Sequence, residues 1–133
     1  MSQENVEVVR QLAVAVGERD LATLLGLTDP DVEWHTTVSA ISEGGAYHGH
    51  DGVRQYVDDL REAFETFEVR LDSALDVGDL VIAVGAVRYC GKASGVELDA
   101  SVGWVVRFRA GRVILARAFR DPEQTLEAVG LRE

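Results

Sequence analysis

Three histidines, His35, His48 and His50, are the side chains of this 133-residue chain best suited to move a proton near neutral pH, because imidazole titrates there. Three phenols, Tyr47, Tyr56 and Tyr89, can offer an O–H to a carbonyl oxygen. The His48-x-His50 spacing could begin a metal site, but no clear third ligand accompanies it, so no metal and no cofactor are expected. The single cysteine, Cys90, excludes an internal disulfide and a multi-cysteine zinc site, and no neighbouring motif activates its thiol. Gly44-Gly45 lacks the preceding strand and the lysine of a phosphate-binding loop. Nothing resembles a nucleophile elbow.

The elements that must position these groups are legible from hydrophobic period. Residues 3–19 read as a helix with a wide apolar face (Val6, Val9, Ala13, Val16, flanked by Val8, Leu12, Ala15), with Ser2 as a cap. Asp20 caps a short second helix through Leu27. Thr28-Asp29-Pro30-Asp31 reads as a turn. Residues 31–37 alternate as a strand with Val32 and Trp34 on one face, which directs His35 to the other unless a bulge intervenes. A loop at Glu43-Gly44-Gly45 leads to a short strand at Tyr47 and His48, whose side chains point oppositely. His50 is expected on the surface. A third helix begins at Asp51-Gly52 with the stripe Val53, Tyr56, Val57, Leu60, Phe64 and Phe67, which turns Tyr56 inward. From residue 68 the period becomes two. Strands at about 68–76, 80–91, 96–109 and 112–120 form an antiparallel meander. Asp121 as N-cap, Pro122, Gln124 and Gly130 frame a last helical turn.

This order predicts one α+β domain over 1–133, with helices gathered on one face of a curved antiparallel sheet. Such a cup leaves a cavity that small ligands favour. The meander is apolar on both faces, so the second face is covered or shared with another copy of the chain. The net charge of −10 argues against nucleic acid or an anionic membrane surface as partner. With no basic N-terminal region and no apolar run of membrane length, a cytoplasmic protein is expected.

Three stretches carry a family resemblance: Thr28-Asp29-Pro30-Asp31-Val32-Glu33-Trp34; Tyr47-His48-Gly49-His50-Asp51-Gly52-Val53-Arg54-Gln55-Tyr56; and Phe108-Arg109-Ala110-Gly111-Arg112-Val113 with Phe119-Arg120-Asp121-Pro122. In order and spacing the chain resembles the nuclear transport factor 2-like superfamily, in its SnoaL-like, polyketide-cyclase-like branch. The resemblance implies a cone-shaped fold, a curved sheet on three helices around a central pocket, commonly as a homodimer. It does not imply one chemistry, because members include isomerases, hydrolases, dehydratases, cyclases and binders.

Carried over by position, the ketosteroid-isomerase base falls on Trp34, its acid on Trp104 and its tyrosine on Leu12, and none of these can act as required. The limonene-epoxide-hydrolase triad falls on Gly85, Val87 and Ala118. The His-Trp-Asp segment of SnoaL-like members meets Ala116 and Ala118. These losses imply an apolar cavity walled by Leu12, Trp34, Val87, Trp104 and Ala118, suited to a flat hydrophobic ligand; the alternative is that the indoles simply fill the core. Tyr47, Tyr56 and Tyr89 join this expected binding set, as does Arg120, which shares the parity of Ala116 and Ala118 and would favour an acidic or enolic ligand. His35 and His48 are the candidates for catalysis. Two readings stand: a metal-independent isomerase, cyclase or dehydratase acting on a hydrophobic carbonyl or polyketide-like compound, and a non-catalytic dimeric assembly or carrier with a vestigial pocket.

Overall fold

A computed structural model of the chain describes residues 2–37 and 46–128. The elements are α1 (Ser2–Glu18), α2 (Leu21–Leu27), β1 (Thr28–His35), β2 (Ala46–His48), α3 (Gly49–Ala63), β3 (Phe64–Val77), β4 (Leu80–Gly91), β5 (Glu97–Arg109), β6 (Arg112–Phe119) and α4 (Pro122–Ala128). The expected loop at Gly44-Gly45 and the Gly130 cap lie outside the described residues. The six strands form one sheet in the order β2-β1-β6-β5-β4-β3. Its pairs are antiparallel except β1 with β6, which run parallel because α3 and the meander separate them in sequence.

Val9, Leu12, Ala15 and Val16 form the buried face of α1, which packs over β3. The chain reverses at Arg19, which takes φ 55°. Asp20 then caps α2 as expected, its carboxylate accepting from the Thr23 backbone N–H at 3.2 Å and the Thr23 hydroxyl at 2.6 Å. On α3 the buried residues are Val53, Tyr56, Val57 and Leu60.

Two boundaries differ from the sequence reading. The expected α3 stripe included Phe64 and Phe67, but both belong to β3. Their helical spacing arises from a register shift between Phe64 and Thr66 in the β3–β4 ladder. Without it, residues three apart would face opposite ways; with it, both rings meet Tyr89, at 4.8 and 5.7 Å between centroids. The expected turn at Thr28–Asp31 is instead the start of β1. Pro30 is tolerated there because the β1–β6 ladder is interrupted between Thr28 and Glu33, so no ladder bond needs its missing N–H.

The main core lies between the concave face of the sheet and the helices α1 and α3, and includes Val81, Ala83, Val87, Val102, Val106 and Val113. Ile82, Ala86 and Val105 are also buried, yet stand apart from this core. Strand alternation places them on the opposite face, and α4 packs on β4, β5 and β6. The chain's own last helix thus accounts for part of the apolar character that the second sheet face shows in the sequence.

At Gly85 the sheet leaves no room for a side chain: a Cβ there would collide with the Arg70 carbonyl oxygen, beside the second β3–β4 register shift. The Gly85→Ala variant is expected to lose about 1–3 kcal/mol of stability by overpacking, read as a lower urea midpoint; an unchanged midpoint would show that the ladder relaxes freely.

Candidate functional site

A cavity of about 80 Å³ lies between α1, α3 and the concave sheet. Leu12, Trp34, Val87, Trp104 and Ala118, the five expected wall residues, all line it together with Tyr56. The ladders explain this convergence. Trp104 pairs with Ala83 on one side and Ala118 on the other, and Trp34 pairs with Ala116. Alanines beside the indoles leave the space that larger neighbours would fill. Trp34 is 7% exposed and its ring sits 5.3 Å from that of Tyr56. Trp34 is thus part of the core, and both indoles wall the space that remains.

Tyr56 is the buried polar group of this cavity. Burial pushes its phenol well above the ordinary value, and the hydrogen bond from the Trp34 indole N–H works in the opposite direction. The hydroxyl stays protonated at any physiological pH. With Trp34 donating to its oxygen, the phenol keeps its own proton to donate.

His35 lines the same cavity beside Thr36 and Thr37, all three half-buried. His35 is still in register with Ala46 of β2 and Arg117 of β6, so strand alternation turns it away from Trp34 toward the side of Glu33, His48 and Arg117, and it meets the cavity only at the end of β1. Burial lowers its affinity for a proton, the Arg117 guanidinium and His48 add to that, and the Glu33 carboxylate opposes it. The ring is neutral at pH 7.

The other expected residues lie elsewhere. His48 is exposed on the outer side, 3.9 Å from the Glu33 carboxylate, so it cannot serve the cavity. His50 is 2.9 Å from the Thr28 carbonyl oxygen and ties the start of α3 to β1. Tyr47 is buried but not on the cavity: its hydroxyl donates to Asp59 at 2.6 Å, and its ring lies edge-on to Tyr56. Tyr89 and Arg120 line a second, outer cavity of about 590 Å³, which shares Thr37, Val87 and Val102 with the inner one. This outer space was not anticipated. Its signal is the alternation Leu98, Ala100, Val102, which continues the parity of Trp104 toward the β4–β5 turn. Among the described residues no group of three or more His, Cys, Asp or Glu side chains converges as a metal site would require.

The sequence matches the SnoaL-like domain family over residues 8–116, and the chain belongs to that family. Similar solved structures have the same fold. One is a nuclear transport factor 2-like protein of unknown function from Burkholderia pseudomallei, 24% identical, with a TM-score of 0.78 over 93% of this chain and 95% of that one. TerC, co-crystallised with polyporic acid, is 19% identical with a TM-score of 0.77, covering 96% of this chain and 97% of that one. A Jannaschia protein assigned as a SnoaL-like polyketide cyclase is 19% identical with a TM-score of 0.75, covering 99% and 95%. No curated protein matches the sequence. The architecture is thus the α+β nuclear transport factor 2-like fold. Among the described residues, no helix is long and apolar enough to cross a membrane.

The lowered affinity of His35 has a sign. The unfolded chain binds this proton more readily than the folded one, so stability holds above about pH 6.5 and falls as the pH drops through that value. Thermal denaturation between pH 7 and pH 5 should show this slope, and His35→Gln should lose most of it. An identical slope in the variant would place the titrating group elsewhere.

Proposed function

We propose that this chain binds a hydrophobic carbonyl or polyketide-like compound at the inner cavity and moves a proton on it without a metal. One observation supports the reading: Tyr56 and His35 both border one cavity, the latter at the end of β1, and burial drives their proton affinities in opposite directions. A phenol that cannot ionise is a hydrogen-bond donor, and an imidazole that stays neutral is a base. Pairs of titratable groups pushed apart in this way mark acid and base roles. In the proposed reaction the Tyr56 hydroxyl donates to the carbonyl oxygen. The neutral imidazole of His35 takes a proton from the adjacent carbon, and the negative charge moves to the oxygen held by Tyr56. The imidazolium then returns the proton to a different carbon, which completes an isomerisation or sets up a ring closure. The apolar walls exclude water and strengthen the hydrogen bond to the developing enolate.

A specific observation favours a second reading. Among the described residues lining the inner cavity there is no carboxylate, so a carrier that holds its ligand without chemistry would need no further change. Solvent deuterium incorporation next to the carbonyl of 2-tetralone separates the two. Proton transfer predicts exchange above the buffer rate. It also predicts that Tyr56→Phe cuts this rate by about 10²–10³-fold, the usual cost of an oxyanion donor, and that His35→Gln lowers it as well. A carrier gives binding with no exchange above buffer in any variant.

The homodimer through the outer sheet face belongs to the same proposal. Val84, Ile114 and Leu115 are only half-buried, and a second copy would cover what α4 leaves open. Sedimentation equilibrium is expected to give about twice the 14.5 kDa chain mass; a monomer at high micromolar concentration contradicts the pairing.

A further inference from the structure

We infer that the ligand of this site carries a carboxylate, bound by Arg120 in the outer cavity while the carbonyl-bearing, otherwise apolar end of the molecule enters the inner one. This rests on the proposed binding function and narrows its substrate class. Size requires an extended ligand. The inner cavity, about 80 Å³, is smaller than an engineered cavity of about 150 Å³ that admits benzene, so it receives only the leading end of a hydrophobic compound. The outer cavity, about 590 Å³, lies within the range of about 300–1,000 Å³ typical of ligand sites. Shared walls at Thr37, Val87 and Val102 make the two continuous.

The outer wall specifies what the body of that ligand looks like. Val96 and Leu98 line it and are 53% and 49% exposed, apolar surface that a bound molecule would cover. Among the described residues lining it, Arg120 is the one charged side chain. Its guanidinium donates to the Thr37 carbonyl at 3.4 Å, which orients it at the junction of the two cavities. No described carboxylate pairs with it, and among the described arginines without an acid within 4.0 Å it is the one that lines the outer cavity. In a chain of net charge −10, a cation without an acid beside an apolar groove is complementary to an anionic group, and the planar guanidinium matches a carboxylate in two-point contact.

The test compares 4-phenylbutanoate with 4-phenylbutanamide, titrated against tryptophan fluorescence at pH 7.5. The two probes share shape and differ in charge, and the net charge of the protein works against the acid. The acid is expected to bind about threefold to fivefold tighter, the amount an exposed ion pair supplies. Arg120→Gln should bring the ratio to one or below, and Arg120→Lys should retain part of the preference. Added salt should weaken the acid alone. Equal binding of both probes to the native chain, with Arg120→Gln changing neither, overturns the carboxylate site and leaves the binding function standing. If neither probe binds and 2-tetralone shows no exchange above buffer and no binding, the binding function falls and this inference with it. If neither probe binds while 2-tetralone exchange persists, the inner site stands and the outer one is refuted.

Discussion

The packing of Trp34 between the sheet and α3 is the contact on which the rest of the site depends. The indole sits between Ala116 of β6 and the ring of Tyr56, and its N–H hydrogen-bonds the Tyr56 phenol. One side chain thereby fixes three things: the distance between helix and sheet, the direction of the buried hydroxyl, and the size of the space left over. A buried phenol without a partner costs free energy, and the Trp34 N–H offsets part of that cost while leaving the phenol able to donate. The Tyr47 ring supports Tyr56 edge-on, and Asp59 holds Tyr47 in turn. This aromatic chain runs from the α3 surface to the cavity wall.

Filling and lining are not alternatives here. Two indoles stand where the resemblance would place carboxyl groups, and the inner cavity they wall measures about 80 Å³. With the surrounding valines, leucines and alanines they make its lining largely apolar. In apolar surroundings a phenol donor interacts with a bound carbonyl more strongly than it would in water. The outer cavity then supplies the room that the inner one lacks, along the same concave face of β4 and β5.

Much of this was readable before any coordinates, and the reasons differ by residue. The convergence of Trp34, Trp104, Val87 and Ala118 follows from strand parity, which a regular ladder preserves over its whole length. Tyr56 is readable from helical period. Phe64 and Phe67 were assigned to the wrong element because a register shift imitates helical spacing. His35 keeps the parity that alternation gives it, beside Glu33, His48 and Arg117, and its place at the cavity edge follows from where β1 stops, which no local pattern encodes. Tyr47 was placed at the cavity because its partner, Asp59, sits on a neighbouring element and leaves no pattern in the β2 sequence. The size of each cavity depends on packing across the sheet, and no local pattern encodes it. The partial covering of the outer face by α4 is tertiary in the same sense.

The central claim is that the inner cavity receives a carbonyl group against Tyr56. A crystal structure of the chain soaked with 2-tetralone tests it most directly. The account predicts density beside Trp34 and Trp104, with the ketone oxygen about 2.5–3.0 Å from the Tyr56 hydroxyl. Density confined to the outer surface, with both indoles closed over an empty centre, would contradict it.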